Sequence, residues 1–507
     1  MKKLVLLIST ALLSLPVFAA DYQTAGDGTA YTLESLSKIE ASGVKKDGTT
    51  YTMLNNVTIA AGDEFTLEGG ATVKMGDDVT LQIEGKGNFD LAEPTLVTRN
   101  LETDKPAGIY FFNSDTKDAV VFRNLNFEYA GLAEWATTSV TIDKCSFKYN
   151  NGVLKSTGAL SLGNNGATYT VTNCEFIDNE VGGIVSSATM TGGASGLVLD
   201  NCKFENNLTA TKRMNSQVNV VVAGELPVEI RNCTVIGSQS KFVGGISIMH
   251  AMPTEGANKV VIENNEIRDN CYGIAIYGGM DATVKNNRII SNKYASTPME
   301  GGSGITINNY TGKPNMVVTG NHIEDNLWGV TVIGGENINF GKVDDESAAD
   351  YNPGGNVFVN NGNTLNGAAG WTDGGKFFPY DLCNNTSGQN EITVYAQGNT
   401  WSVDEQTAEK IETVIFHKTD NQSLGEVIYM PEGEGGVESV AAGLEAYFNG
   451  KQLVVSADAN VEVYNLSGAK VAEYAGESVI DLSGLAGGIY VARVAADGKV
   501  ATVKCAL

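Results

Sequence analysis

The sequence predicts an all-β chain that stacks as a parallel β-solenoid, and three observations carry that expectation. One short phrase recurs eight times between Val121 and Asn326: apolar, any, apolar, any, Asn, Cys or Asn, any, Phe or Ile, then Asn three residues on. Its apolar residues alternate at period 2, the spacing of a strand, and not at the 3.6 of a helix. The register mark Cys145, Cys174, Cys202, Cys233, Asn265, Asn287, Asn321 advances by 22 to 34 residues per copy, and a period of about 20 to 50 residues signals a stacked array.

The elements follow in chain order. Residues 1–20 open with Met1-Lys2-Lys3, continue through Leu4 to Leu15 and end in Ala19-Ala20. A basic start, an apolar stretch too short for a span and small residues at the end read as a secretory signal peptide. Residues 21–50 read as an N-terminal cap, with Thr32 starting a short helix that puts Leu33, Leu36 and Ile39 on one face. A solenoid end exposes its apolar cross-section and needs such a cover. Residues 51–430 hold the stack. Its first strands are Val57-Thr58-Ile59, Phe65-Thr66-Leu67 and Val79 to Ile83, joined by tight Gly-Asp and Gly-Gly turns.

Within the repeat, a third strand opened by Gly follows several copies, as in Gly182 to Val185, Gly273 to Ile276 and Gly329 to Val332. One period therefore holds about three strands, and the residues beyond the shortest step must leave as loops. Asn suits the turns because it tolerates the left-handed conformation and its amide bonds locally. One column reads Asn173, Asn201, Asn232, Asn264, Asn286; another reads Asn150, Asn179, Asn207, Asn270, Asn292, Asn326. Stacked amides can form a ladder. The inner apolar column runs Phe127, Phe147, Phe176, Phe204, Val235, Ile267, Ile289, Ile323. The stacked cysteines read as a small apolar ladder, or alternatively as a disulfide or soft-metal stripe. The acceptance of Leu125 and Asn265 in the same column favours the former. The repeat weakens from 334 to 385 and resumes near Glu391. A Gly/Glu linker at 431–443 leads to a tail at 444–507, whose seven or so short strands read as a small β-sandwich.

These residues resemble the right-handed parallel β-helix, or pectin-lyase-like, family over roughly 50–430. The resemblance implies the fold but not the chemistry, because that fold hosts polysaccharide lyases, glycoside hydrolases, adhesins and binding proteins. The tail, with Leu485, Gly488, Tyr490 and the late Lys504, resembles the C-terminal sorting domain of type IX secretion substrates in Bacteroidetes. That resemblance implies passage through outer-membrane secretion machinery to the cell surface or the medium.

Net charge is −25. This argues against nucleic acid and against an acidic polysaccharide held without a bridging cation. After the signal peptide no stretch of about 18 apolar residues exists to span a membrane as a helix. Three sets of candidate site residues remain. Asp269 and Asp325 lie two coils apart, about 9.6 Å from the strand spacing, at the edge of the separation used by inverting glycosidases; Arg268 and Arg288 lie close by. Against catalysis, Asp-Asn is also ordinary turn chemistry. Trp135, Trp371, Phe378 and Tyr380 suit sugar rings, or else pack their own loops. Asp344, Asp345, Glu346 and Asp350 offer the oxygens that Ca²⁺ prefers, although a charge run is usually solvated. The expectation is a secreted or cell-surface solenoid that binds a glycan or a surface without catalysis. The alternative is a secreted polysaccharide lyase or glycoside hydrolase.

Overall fold

The computed structural model describes residues 22–431, apart from 100, 103–104, 113–117, 136–137, 154–157, 164–165, 187–194, 223–224, 251–258, 296–301, 309–314, 363–371, 374–375 and 378–379. It also describes residues 446–506, apart from 449–451, 466–468, 487–488 and 497–498. The expected signal peptide and most of the linker lie outside the described residues. The chain divides into two units, residues 1–340 with 354–395 and 399–427, and residues 341–353 with 396–398 and 428–507.

The first unit is a stack of three parallel ladders. One is a sheet of 14 strands among the described residues, running from Tyr22–Gln23 through the Gly-led strands to Ile415–Phe416. A second stacks Val120–Glu128, Val140–Asp143, Thr168–Thr172, Gly196–Asp200 and Val228–Arg231, and a third stacks the short strands Ser146–Lys148, Glu175–Ile177 and Lys203–Glu205. Register follows the sequence columns: Phe127 faces Phe147, then Phe176, Phe204, Val235, Ile267, Ile289, Ile323 and Phe358. The four successive Phe rings from Phe127 to Phe204 are 0% exposed. They stack at 4.9, 4.8 and 4.6 Å between centroids, with nearly parallel planes. Parallel in-register pairing places identical side chains one above the next, which fixes this spacing.

The ends of the stack depart from expectation. The helix at Leu33–Leu36 forms with Thr32 as its cap, and both leucines are buried. The stack nevertheless begins before residue 51, because Tyr22 pairs with Val57 and Ala30 with Glu64. Asp63, 1% exposed, fastens that first segment by accepting the backbone N–H groups of Gly26, Gly28 and Thr29. Nor does stacking lapse between 334 and 385. Val357–Val359 pairs with His322–Glu324, and Leu382–Asn384 pairs with Trp328–Gly334, around the intervening insertion.

The two asparagine columns have different roles. Asn173, Asn201, Asn232, Asn264 and Asn286 are exposed and take φ between 52° and 58°, the left-handed turn conformation. Asn150, Asn179, Asn207, Asn270, Asn292 and Asn326 are 0% exposed. From Asn179 onward the side-chain amides donate along the stack, as in Asn270 Nδ2 to Asn292 Oδ1 at 3.0 Å and Asn292 Nδ2 to Asn326 Oδ1 at 3.1 Å. Where one coil carries Ser238 at this position, the gap is bridged by Gln217. It accepts from Asn207 Nδ2 at 2.9 Å and donates to Asn270 Oδ1 at 3.0 Å. Each of Cys145, Cys174, Cys202 and Cys233 is a free, buried thiol. The Sγ atoms donate to backbone carbonyls, for example Cys174 to Thr172 at 3.1 Å. The column then continues as buried Asn265, Asn287, Asn321 and Asn356. This is an internal ladder, as expected, and among the described residues no His, Cys, Asp and Glu side chains group as a metal site.

The buried amide ladder ends on a carboxyl group. Asp381 accepts Asn361 Nδ2 at 3.0 Å, Ser402 N–H at 2.8 Å and Ser402 Oγ at 2.8 Å. Burial outweighs these bonds and pushes its pKa up to about 6. Glu134, 0% exposed between Phe111 and Leu162, is raised well above the usual carboxylate range by burial. Its oxygens accept no hydrogen bond among the described residues. Both groups hold their protons more tightly folded than unfolded, so stability falls as pH rises from about 4 to above 6. A tenfold gain in proton affinity on folding is worth about 1.4 kcal/mol, so Asp381 contributes on the order of 1–3 kcal/mol to the effect. Thermal melts should therefore run higher at pH 5 than at pH 7.5. Asp381→Asn, which removes one of the two titrations, should flatten the slope; an unchanged slope would exclude Asp381 as a source.

The second unit carries five antiparallel strands at residues 446–506 over a core of Leu453, Val461, Val463, Ile480, Leu482, Ala492 and Val494. Among the described residues the seven or so short strands expected from sequence number five, because stretches expected to be separate are continuous. Gln452–Asn465 is one 14-residue strand whose register shifts between Val454 and Ala459, and Lys470–Asp481 runs beside it. Its first part faces Ala446–Phe448 and its second faces Ile489–Ala496, so one bent strand serves both parts of the small fold. Tyr490 of the sorting motif is 9% exposed and donates its hydroxyl to Ala486 O at 2.8 Å.

Candidate functional site

The residue before each rung of the buried amide ladder forms its own column: Tyr129, Tyr149, Asp178, Asn206, then Asp269, Ser291, Asp325 and Asn360. All eight adopt φ between 53° and 60°. Asp and Asn enter this region readily, and Ser is small. A bulky aromatic residue there is an outlier, at a cost of about 1–2 kcal/mol each. Two successive tyrosines in that conformation are strain held by the surrounding rungs, a pattern that points to function.

The two rings stack at 5.1 Å with 26° between planes. The Arg99 guanidinium lies 5.7 Å from the Tyr129 centroid, on the preceding rung. Arg99 is 7% exposed and Tyr149 is 40% exposed. Beyond Tyr149 the next rung presents Asp178, whose Oδ1 accepts Asn206 Nδ2 at 2.5 Å. Glu180, two residues further on, donates its N–H to Asn150 O, and Thr209 of the following coil donates its N–H to Asn179 O. Together Arg99, Leu101, Tyr129, Tyr149, Asp178, Glu180 and Thr209 line an open cavity of about 360 Å³. Flat aromatic surface beside hydroxyl and carboxylate acceptors is the chemistry that holds a hydroxylated ring. Neither tyrosine is among the residues expected from sequence. Their signal was an aromatic pair in a turn column whose later positions are mostly Asp, Asn and Ser.

The expected acidic pair is arranged differently. Asp269 and Asp325 are two rungs apart, as the repeat implied, with Ser291 between them. Each is neutralised close by. Asp269 pairs with Arg268 at 2.6 Å, while Asp325 pairs with Lys293 and accepts Ser291 Oγ at 2.8 Å. Arg268 also holds Glu266 at 3.0 Å, so its partners are not Glu324 or Asp325. Arg288 is exposed, in register between Glu266 and His322. These are turn and surface ion-pair positions, worth little individually.

Of the expected aromatic residues, Trp135 is partly buried and edge-on to Tyr110 at 6.2 Å, in a cluster with Val153 and Phe112. Tyr380 is a correction: it is 1% exposed, packed between Trp328 and Phe416, and presents no ring to a ligand. Trp371 and Phe378 lie outside the described residues. The expected Ca²⁺ loop does not converge either. Asp344 accepts Gln397 Nε2 at 2.7 Å, Asp345 binds Ser347 N–H and Oγ, Asp350 pairs with Lys342 at 2.6 Å, and Glu346 is exposed. Three of the four carboxylates are thus engaged by donors of their own and do not turn toward one another.

Comparison with known proteins agrees with this architecture. The right handed beta helix region model matches residues 81–255 and 191–364. The secretion system C-terminal sorting domain model matches residues 447–507. No curated protein matches the chain. Among solved structures, the chain is similar to a double mutant of the periplasmic alginate epimerase AlgG, 11% identical, over 79% of this chain and 83% of that one at a TM-score of 0.44. It is also similar to a tailspike protein mutant of E. coli bacteriophage HK620 in complex with a pentasaccharide, 13% identical, over 94% of this chain and 86% of that one at a TM-score of 0.39. Among the described residues no helix is long and apolar enough to cross a membrane. With its sorting domain placing it outside the cell, secreted or at the surface, and its repeats matched over more than half its length, the chain belongs to the right-handed β-helix family.

Proposed function

We propose that this secreted or surface-displayed solenoid binds a glycan without catalysis, through the cavity beside Tyr129 and Tyr149. One observation carries the reading. Two successive tyrosines are held in a costly backbone conformation so that their rings stack at the surface, where most later coils use small polar residues. A rigid aromatic platform loses little conformational entropy on binding, and repeated rungs give it a fixed position. The sorting domain hands the chain to outer-membrane secretion machinery, and the solenoid then acts outside the cell.

The second reading is a polysaccharide lyase or glycoside hydrolase. It is favoured by the two carboxylates, Asp178 and Glu180, that share the cavity. One experiment separates them. The full chain is titrated with pectic, alginate, glycosaminoglycan and neutral polysaccharides, with Ca²⁺ or with chelator, while unsaturated-uronate absorbance and new reducing ends are followed. Binding is expected without either product signal and without dependence on Ca²⁺. Tyr129→Ala is expected to weaken it about tenfold, the scale of losing one stacked aromatic contact. Growth of either product signal would establish the enzyme instead.

A further inference from the structure

We infer that the cavity is a subsite selective for a non-acidic sugar ring, one whose hydroxyl or ammonium substituents donate hydrogen bonds, over a uronate. The inference rests on the glycan-binding reading above and adds the class of unit that the cavity accepts.

The order of rungs supplies the geometry. Arg99, Tyr129, Tyr149 and Asp178 occupy one column in that sequence. Tyr129 has Arg99 on one side and Tyr149 on the other. Tyr149 is covered by Tyr129 on one side only. On its other side the rung carries the short Asp178 in place of a third ring, which leaves a gap about one rung deep, roughly 4.8 Å. A ring entering there extends the stack. It meets Asp178 and Glu180 at its edge, with Thr209 beside them.

The charge of that edge decides which ring fits. Asp178 gives Oδ1 to Asn206, and among the described residues its Oδ2 and both Glu180 oxygens accept nothing. Unengaged carboxylates accept hydrogen bonds from sugar hydroxyls, and pair with an ammonium group more strongly still. Among the described residues the one cation lining the cavity is Arg99, which is nearly buried and separated from this edge by two rings. A uronate would bring a third carboxylate against two, and like charges brought together reject the wrong ligand.

The test uses the full chain and three oligosaccharides of equal length: an oligogalacturonate, the same oligomer after reduction of its carboxyl groups, and a chitosan oligomer. Calorimetry should show the reduced and chitosan oligomers bound, with the native oligogalacturonate weaker by about tenfold or more. Tyr149→Ala should abolish binding while Tyr149→Phe, which keeps the ring, retains it. Glu180→Lys should strengthen oligogalacturonate and weaken chitosan. Tyr149-dependent binding in which the native oligogalacturonate equals or exceeds its reduced form would overturn the selectivity and leave glycan binding standing. Binding unmoved by Tyr149→Ala would overturn the subsite. Silence from all three oligomers would overturn the subsite and the reading beneath it.

Discussion

Phe204→Asp is expected to abolish the cooperative melt of the solenoid. Phe204 is 0% exposed and stacks on Phe176 at 4.6 Å, with Val235 on the following rung. Deleting a buried Phe ring costs about 3–5 kcal/mol through lost contacts and the cavity left behind. A carboxylate in its place has no partner in an apolar column and costs several kcal/mol more. That total approaches the whole stability of an ordinary domain, about 5–15 kcal/mol. In a stacked array each rung is stabilised mainly by its neighbours, so the damage spreads to the coils on both sides. Phe204→Leu is the control, keeping an apolar side chain at a cost of about 1–2 kcal/mol. Circular dichroism and a thermal melt read both variants. A Phe204→Asp protein that melts like the parent would show that the column does not face inward.

Much of this architecture was legible because the repeat is periodic. The Phe and Cys columns, the three strands per period and the inward face of each strand follow from period-2 alternation and from one register mark. They survive in the paired residues from Phe127 to Ile323. Features that break the period were not legible. Gln217 fills a missing rung from a different strand, and only the closed coil shows that its amide reaches Asn207 and Asn270. Tyr380 read as a loop aromatic because nothing in its neighbourhood repeats, yet it closes a rung against Trp328. The candidate site fared similarly. Asp269 and Asp325 stood out as carboxylates at a recurrent position, but their charges are taken by Arg268 and Lys293. Tyr129 and Tyr149 occupy that same recurrent position, where their φ values, invisible in sequence, give them their significance.

The two asparagine columns give the sharpest separation between what a sequence column says and what a side chain does. Both recur once per coil, yet Asn292→Ala and Asn201→Gly should behave oppositely. Asn292 Oδ1 accepts from the backbone and side chain of Asn270, and its Nδ2 donates to Ile267 O and Asn326 Oδ1. Alanine deletes four hydrogen bonds in a site that is 0% exposed and takes from the Asn270 N–H its acceptor. Each unsatisfied buried group costs about 1–3 kcal/mol before relaxation, so a net loss of about 3 kcal/mol or more is expected. Asn201 is exposed at φ 52° and gives one side-chain bond to Asn173 at 2.8 Å. Glycine keeps that left-handed turn without steric cost, and a solvent-exposed hydrogen bond is readily replaced by water. A change within about 1 kcal/mol is expected there. Chemical denaturation of the two variants in parallel measures both. Equal losses would mean that the buried amides are no more than turn formers. A large loss confined to Asn292→Ala would show that a continuous internal ladder, closed at Asp381, holds the coils in register beneath the strained tyrosines.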